Sequence, residues 1–261
     1  MLRSLYTAAT GMDAQQLSMD VIANNLSNAS TTGYKAQRPE FEDLLSDTVR
    51  GAGAQDGRGG TNPAPMQVGL GVRAGATTRT FGEGTLTVTS NPTDLAVNGA
   101  GFFRVELASG DVAYTRAGNF TLDSNGRLVT QHGEVVDPGI TIPAGATSLT
   151  IGSDGTVTAL EQGKTQPTQI GQLTLYTFTN PGGLSDIGNN EFQPTSGSGE
   201  ALEGKPGENG VGTIAQGQLE GSNVQAVTEM VNMISAQRAY ELNSKVIQTA
   251  DQMLQKLTTL R

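Results

Sequence analysis

Cysteine is missing altogether, so neither a disulfide nor a thiolate metal site can form. Tryptophan is missing too, and aromatic residues make up only 5% of the chain. Histidine occurs once, at His132, within the turn-like Gln131-His132-Gly133. One imidazole without cysteine cannot hold a structural zinc. Any Ser-His-Asp triad would need His132, and the chain has no Gly-x-Ser-x-Gly elbow. His132 therefore reads as a solvent-exposed turn residue. Cations are few: Lys and Arg number 16 against 25 Asp and Glu, for a net charge of −9. They are scattered, which argues against nucleic-acid binding and against a polybasic membrane patch. No apolar run approaches the ~20 residues of a membrane-spanning helix. The N-terminal apolar stretches are interrupted by Thr7, Thr10 and Asp13, and no small-residue cleavage site follows. The expectation is a cytosolic protein, or one exported without a cleaved signal peptide.

Other chemical signals are equally thin. Gly69-Leu70-Gly71 starts like a phosphate-binding glycine pattern, but the third expected glycine is Ala74, so it reads as a turn or bulge beside a strand. Asp123-Ser124-Asn125-Gly126 offers too few ligands for a calcium loop. Glu42-Asp43, beside Phe41 and Leu44, reads as the polar side of a short helix. The reading is not an enzyme, with no catalytic residue, cofactor or metal ligand.

What is abundant is turn chemistry: 35 glycines and ten prolines in 261 residues. Between Val72 and Leu219 the pattern is strands and hairpins. Phe102, Phe103, Val105 and Leu107 form an apolar strand after Asn98-Gly99. Phe120 and Leu122 lead through Ser124-Asn125-Gly126 to Leu128 and Val129. Leu149 and Ile151 lead through Ser153-Asp154-Gly155 to Val157. Asn-Gly and Asp-Gly suit the positive φ of tight hairpin turns. Ile170 through Phe178 reads as one long strand, and 180–212 as loops with short strands.

The two ends of the chain differ from this body. In the first thirty residues Leu5, Met12, Met19 and Leu26 share one heptad position. Leu2, Ala9 and Ala23 share the other, with Gln16 as a polar interruption and Leu17 and Ile22 widening the stripe. The helix would be about 45 Å long. Near the C-terminus a Ser222-x-x-Gln225 capping box precedes a second periodic run. Met233, Tyr240, Ile247 and Leu254 form one row. Ala236, Asn243, Ala250 and Leu257 form a second, and Val246, Met253 and Leu260 a third. Three rows make a stripe wider than two helices need, so such a helix wants neighbours on several sides. Arg238, Glu241 and Lys245 line the opposite, solvated face.

The fold class expected is α+β: long N- and C-terminal helices forming a coiled-coil inner domain, with a β-rich outer body of hairpins. The expected division is 1–35 with 220–261 as the polymerising domain, 36–94 as a connecting region, and 95–219 as the β body. Within the connection, the Gly/Pro-rich 46–69 is too long for an ordinary loop. Apolar helix faces that one chain cannot cover imply copies of the same chain, stacked into a ring or open helical assembly. Leu5, Met12, Met19, Leu26, Met233, Tyr240, Ile247, Leu254 and Leu257 are the candidate self-assembly residues.

Three ordered blocks carry a family resemblance. Asn24-Asn25-Leu26-Ser27-Asn28 with Thr32-Gly33-Tyr34-Lys35 is the first. Asn91-Pro92-Thr93-Asp94-Leu95-Ala96-Val97 with Gly99-Ala100-Gly101-Phe102-Phe103 is the second. The third runs from Ser222-Asn223-Val224 to Gln237-Arg238-Ala239-Tyr240-Glu241 and Asn243-Ser244-Lys245. Together they resemble the signatures of bacterial flagellar rod and hook proteins. Phe41-Glu42-Asp43-Leu44-Leu45, Gly51-Ala52-Gly53-Ala54-Gln55 and Gln67-Val68-Gly69-Leu70-Gly71-Val72 are most similar to the distal-rod group. The resemblance implies a hollow helical drive shaft that carries motor torque to the hook. It also implies a homo-polymer, with the proximal rod, the hook and the periplasmic and outer-membrane ring proteins as neighbours. It implies no nucleic acid and no small-molecule substrate, and a location in the basal body after type III export. The rivals are a proximal-rod or hook paralogue, a cell-wall glycan hydrolase, and a secreted adhesin.

Overall fold

A computed structural model describes residues 2–52, 64–163 and 166–259, the side chains of Leu2 and 257–259 excepted. Among the described residues two helices, α1 (Leu2–Ser27) and α2 (Ala226–Thr259), enclose twenty short strands in the sequence. By contacts the chain divides into two units. The first comprises α1 as far as Leu26, residues 37–78, and α2; the second comprises residues 27–36 and 79–225.

α1 is 26 residues without proline, half of them strong helix formers. It ends where Asn28 takes over the backbone: its carbonyl accepts from Thr31 N–H at 3.1 Å and its side chain from Thr31 Oγ1 at 3.1 Å. Gly33 then adopts φ +70°, which breaks the helical path. Along α1, Leu5, Met12, Met19 and Leu26 are half-buried. The row beside them is Ala8, Gln15 and Ile22, whereas Gln16 and Ala23 are exposed. The second heptad row is therefore one residue earlier than the sequence pattern suggests.

α2 begins at Ala226, so Ser222 is not its cap. The Ser222 hydroxyl instead accepts from Val224 N–H at 3.2 Å, a local turn that competes with capping. Ala236 and Ala250 are buried on α2, and Glu229, Met233, Asn243, Ile247 and Leu254 are half-buried along the same helix. Gly11 of α1 faces Asn243: a Cβ placed on Gly11 would lie 2.9 Å from Asn243 Nδ2.

The rest of the first unit is strand. Gln37–Asp43 pairs with Val72–Arg79, so Glu42-Asp43 lies in a strand rather than the expected short helix. Pro39 fits a two-stranded edge, and Glu42 bridges to Arg73 of the partner strand at 2.7 Å. Asp47–Arg50 and Met66–Val68 pair antiparallel, so the base of 46–69 is a strand pair; residues 53–63 of that segment lie outside the described residues. Gly71, at φ +117°, makes the expected turn ahead of the strand starting at Val72, and its carbonyl accepts from Leu44 N–H at 2.9 Å.

The second unit is built on a seven-stranded antiparallel sheet. Its spatial order is Ser185–Gly188, Glu191–Gln193, Val112–Thr115, Phe103–Glu106, Val135–Val136, Leu128–Val129 and Thr121–Leu122. The Asn125-Gly126 and Asp154-Gly155 hairpins form as expected. Asn98-Gly99 does not close a hairpin: Leu95–Asn98 pairs instead with the distant Thr213–Gln216. Leu95, Ala96 and Val97 are all buried, and a strand needing cover on both faces must sit between layers rather than beside its chain neighbour. The stretch expected as one strand from Ile170 to Phe178 is two. Thr168–Gln172 pairs with Thr156–Glu161, and Leu175–Thr177 with Leu202–Gly204. The break falls at Leu173, whose N–H donates to Gly155 O at 2.7 Å while its side chain enters the core.

Adjacent residues on the strand entry point to opposite faces and serve two cores. Phe103 joins Leu95, Val105, Phe120, Leu128 and Leu175 in one. Phe102 joins Tyr114, Tyr176, Phe178 and Phe192 in the other, with edge-to-face rings at 5.6 Å between Phe102 and Phe178. Gly101, at φ +152°, lets the chain turn against Leu175, 3.2 Å from where a Cβ would stand.

Candidate functional site

Two arrangements gather the residues singled out from the sequence, one in each unit. The first is the apolar surface of α2. Val227, Val231, Ile234, Leu242, Val246 and Met253 are all large apolar side chains left exposed, Val231 by 57% and Ile234 by 52%. The row of Met233, Ile247 and Leu254 is half-buried, and Tyr240 in the same row is 38% exposed. The third row, Val246 and Met253, faces outward; the Leu257 side chain lies outside the described residues. Gln237 and Arg238 are exposed on the same helix, as are Glu241 and Lys245. On α1, Asn24 is exposed and Asn25 is buried. Asn25 clamps the backbone of Gln37 both ways: Nδ2 donates to Gln37 O at 2.8 Å and Oδ1 accepts from Gln37 N–H at 2.9 Å.

The second arrangement is a buried clasp in the β unit, around Lys35. Lys35 Nζ donates to Glu220 Oε1 at 2.6 Å and to Gly82 O at 2.8 Å. Glu220 Oε1 also accepts from Gly84 N–H at 2.9 Å, and Glu220 Oε2 from Arg116 Nη1 at 3.5 Å. Arg116 Nη1 also donates to Val97 O at 3.2 Å and Nη2 to Gly99 O at 2.7 Å, with the guanidinium over the Phe102 ring. Its Nε is the buried side-chain atom left without an acceptor among the described residues. Two cations thus share one carboxylate, and backbone carbonyls satisfy the surplus positive charge. Burial pulls the Lys35 ammonium and the Arg116 guanidinium below their ordinary values, and Glu220 opposes the fall in both.

Backbone bonds close the clasp. Gly33 N–H donates to Glu220 O at 2.8 Å. Asn223 Oδ1 accepts from Ala36 N–H at 2.7 Å, and its Nδ2 donates to Thr80 O at 2.8 Å. Tyr34, buried, lies under the Arg79 guanidinium, which also pairs with Asp186. Residues 33–36 and 220–223 are therefore fixed to each other and to 80–84 in one polar knot. Of the sequence-predicted residues, Gly33, Tyr34 and Lys35 belong to it. Glu220 and Arg116 were missed: no periodicity connects them with Lys35, and only a charged residue with no visible solvated face could have flagged them. His132 is exposed in the turn between Leu128–Val129 and Val135–Val136.

The three sequence blocks that meet in these arrangements coincide with three family matches. Residues 5–35 match the family described as flagella basal body rod protein, 96–159 the flagellar hook protein FlgE/F/G D1 domain, and 215–260 the flagellar basal body rod FlgEFG protein C-terminal. The flagellar basal-body rod protein FlgG of Caulobacter vibrioides is 50% identical over 261 residues, covering 100% of both chains. The chain belongs to the flagellar basal-body rod protein family. The FlgG proteins of Buchnera aphidicola from Acyrthosiphon pisum and of Bacillus subtilis are 48% and 42% identical, again over 100% of both chains. The FlgF of Caulobacter vibrioides is more distant, 35% identical over 94% of this chain and 91% of its own. This member is thus a structural subunit of the rod and not an enzyme, and its relation to FlgG runs through the full length.

Proposed function

We propose that the chain assembles with copies of itself into the distal rod, a hollow helical shaft that transmits motor torque to the hook. The observation that carries this reading is the apolar surface of α2, left open over most of its length by the chain's own residues. Burying a fully exposed side chain of this kind gains about 1.5–3 kcal/mol, and these are roughly half exposed, so a neighbour laid along α2 collects about half of that from each. On this reading 1–35 and 220–261 form the inner, coiled-coil layer and 95–219 the outer body. Residues 36–94 connect them, and their segment 46–69 docks on neighbouring subunits and stiffens the shaft. Leu5, Met12, Met19, Leu26, Met233, Tyr240, Ile247, Leu254 and Leu257 are the seam that neighbours cover. The ends of the shaft meet the proximal rod and the hook, and its flank meets the rings, as the subunits cross the periplasm after export without signal cleavage.

Electron microscopy of the purified, concentrated protein tests this. Straight hollow tubes are expected from the wild type and none from Val231→Asp/Ile234→Asp. Both positions are exposed in the single chain, so the variant keeps a wild-type circular dichroism spectrum. Tubes of normal abundance from this double variant would refute the helix-face assembly.

A further inference from the structure

The chain holds three Asn-Gly pairs: Asn98-Gly99, Asn125-Gly126 and Asn209-Gly210. Glycine has no side chain to shield its backbone nitrogen from the amide of the asparagine before it. The fold treats the three pairs differently. Asn98 ends the strand Leu95–Asn98 and pairs with Thr213. Gly99 O accepts from Arg116 Nη2 at 2.7 Å, and a Cβ on Gly99 would stand 2.8 Å from Gly212 Cα. At the second pair, Gly126 N–H donates to Asp123 O at 3.0 Å and Asn125 N–H to Asp123 Oδ1 at 2.8 Å.

The third pair is open. Asn209 and Gly210 are both exposed, and a Cβ on Gly210 would meet nothing within 4 Å. They are the central residues of a tight turn, at φ +52° and +81°, closed by Val211 N–H donating to Glu208 O at 2.9 Å. Gly210 N–H has no acceptor among the described residues. Below this tip the loop is fixed. Pro206 is buried and Val211 packs against the first core. Gly207 N–H donates to Gly212 O at 3.0 Å, and Gly212 N–H to Ala100 O at 2.7 Å.

We propose that the fold singles out Asn209 as a site of spontaneous covalent modification, where the side-chain amide converts to aspartate and isoaspartate while the protein stays folded. The Gly210 nitrogen gives its proton to solvent and attacks the side-chain carbonyl carbon of Asn209. The new C–N bond closes a five-membered succinimide, and the side-chain nitrogen leaves as ammonia. Water then opens the ring. Breaking the new bond gives aspartate, and breaking the original peptide bond gives isoaspartate, whose main chain runs through the former side chain. Water is the one further reactant.

Ring closure requires the turn to open. At Asn209 that breaks the Val211–Glu208 bond and moves exposed atoms. At Asn125 the bonds to Asp123 must break first, and at Asn98 the strand pairing and the Arg116 contact. Exposed tips open at the lowest cost in free energy. Each event adds a carboxylate beside Glu208, in a chain already at net charge −9.

Ageing the full-length protein in mildly alkaline buffer, with peptide mapping by mass spectrometry, tests this. The peptide carrying Asn209 should gain about one dalton and split into two chromatographic forms. It should do so at least about tenfold faster than the peptides carrying Asn98 or Asn125. An isoaspartyl carboxyl methyltransferase with labelled S-adenosylmethionine should label one of the two forms. In urea the difference should shrink to less than about threefold, because the constraints that separate the pairs are gone. Equal rates at the three pairs in the folded protein would overturn the proposal, as would faster conversion at Asn98 or Asn125. So would an Asn209 that keeps its amide in the folded protein while converting in urea. A difference that persists unchanged in urea would assign the ranking to neighbouring residues and overturn the role of the fold.

Discussion

Lys35 and Glu220, 185 positions apart in the chain, meet at 2.6 Å with both side chains fully buried. Lys35 follows α1 by eight residues and Glu220 precedes α2 by six, so this one bond ties together the two segments through which the chain enters and leaves the β unit.

Lys35→Met should therefore be severely destabilising. It strips the ammonium from Glu220 and leaves Gly82 O with only the longer bond from Asn223 Nδ2, at 3.3 Å. Breaking one partner of a buried ion pair costs about 3–5 kcal/mol, a large share of the about 5–15 kcal/mol that stabilises a typical domain. Urea unfolding at neutral pH measures it. A loss below about 1 kcal/mol would mean that the knot is held by its backbone bonds and not by the ions.

Gly33 and Gly110 offer a controlled comparison. Both have positive φ, +70° and +86°. A Cβ on Gly33 would stand 2.6 Å from Ala117 N, whereas one on Gly110 meets open space. Gly110→Ala should cost about 1 kcal/mol from the left-handed backbone alone. Gly33→Ala should cost at least twice as much, because the Ala117 backbone cannot yield as a side chain can. Equal melting temperatures for the two variants would show that the close approach relaxes freely.

Asn25→Asp tests the backbone clamp on Gln37. The carboxylate can still accept from Gln37 N–H but cannot donate to Gln37 O, which loses its side-chain donor. Losing one hydrogen bond at this part-buried site costs about 0.5–1.5 kcal/mol. Faster hydrogen exchange should be confined to the strand Gln37–Asp43 and its pairing partner. A global change in exchange instead would assign Asn25 a wider role than the clamp.

Gly11→Ala sets two effects against each other. Alanine is favoured over glycine inside a helix by about 1 kcal/mol. The new Cβ, however, would lie 2.9 Å from Asn243 Nδ2. The single variant should come out near neutral, and Gly11→Ala in an Asn243→Ala background should be stabilising by nearly the full helix preference. Thermal unfolding of the four proteins of the cycle reads the coupling. Additive effects would mean that Gly11 and Asn243 do not constrain each other.

Much of the local structure follows from neighbouring residues. The strict spacing of Leu5, Met12, Met19 and Leu26, and of Met233, Ile247 and Leu254, is enough for two terminal helices. Asn125-Gly126 and Asp154-Gly155 are enough for two hairpins, because the positive φ a tight turn demands is a property of the residue itself. The row of Val246 and Met253, which the structure leaves exposed, was also legible. Turn chemistry alone misled at Asn98-Gly99, where burial on both faces sends Leu95–Asn98 to a distant partner, and at Leu173, where a bond to Gly155 splits one apolar run into two strands.

The sequence by itself determined the terminal helices, the hairpin turns and, through three ordered blocks, membership of the rod family, since each depends on residues within a few positions of one another. Tertiary structure alone decided that Lys35 and Arg116 are both joined to Glu220. The physical reason is that a surface charge and a buried one are the same letter in the sequence. Only the packing that removes water from both partners makes each require the other.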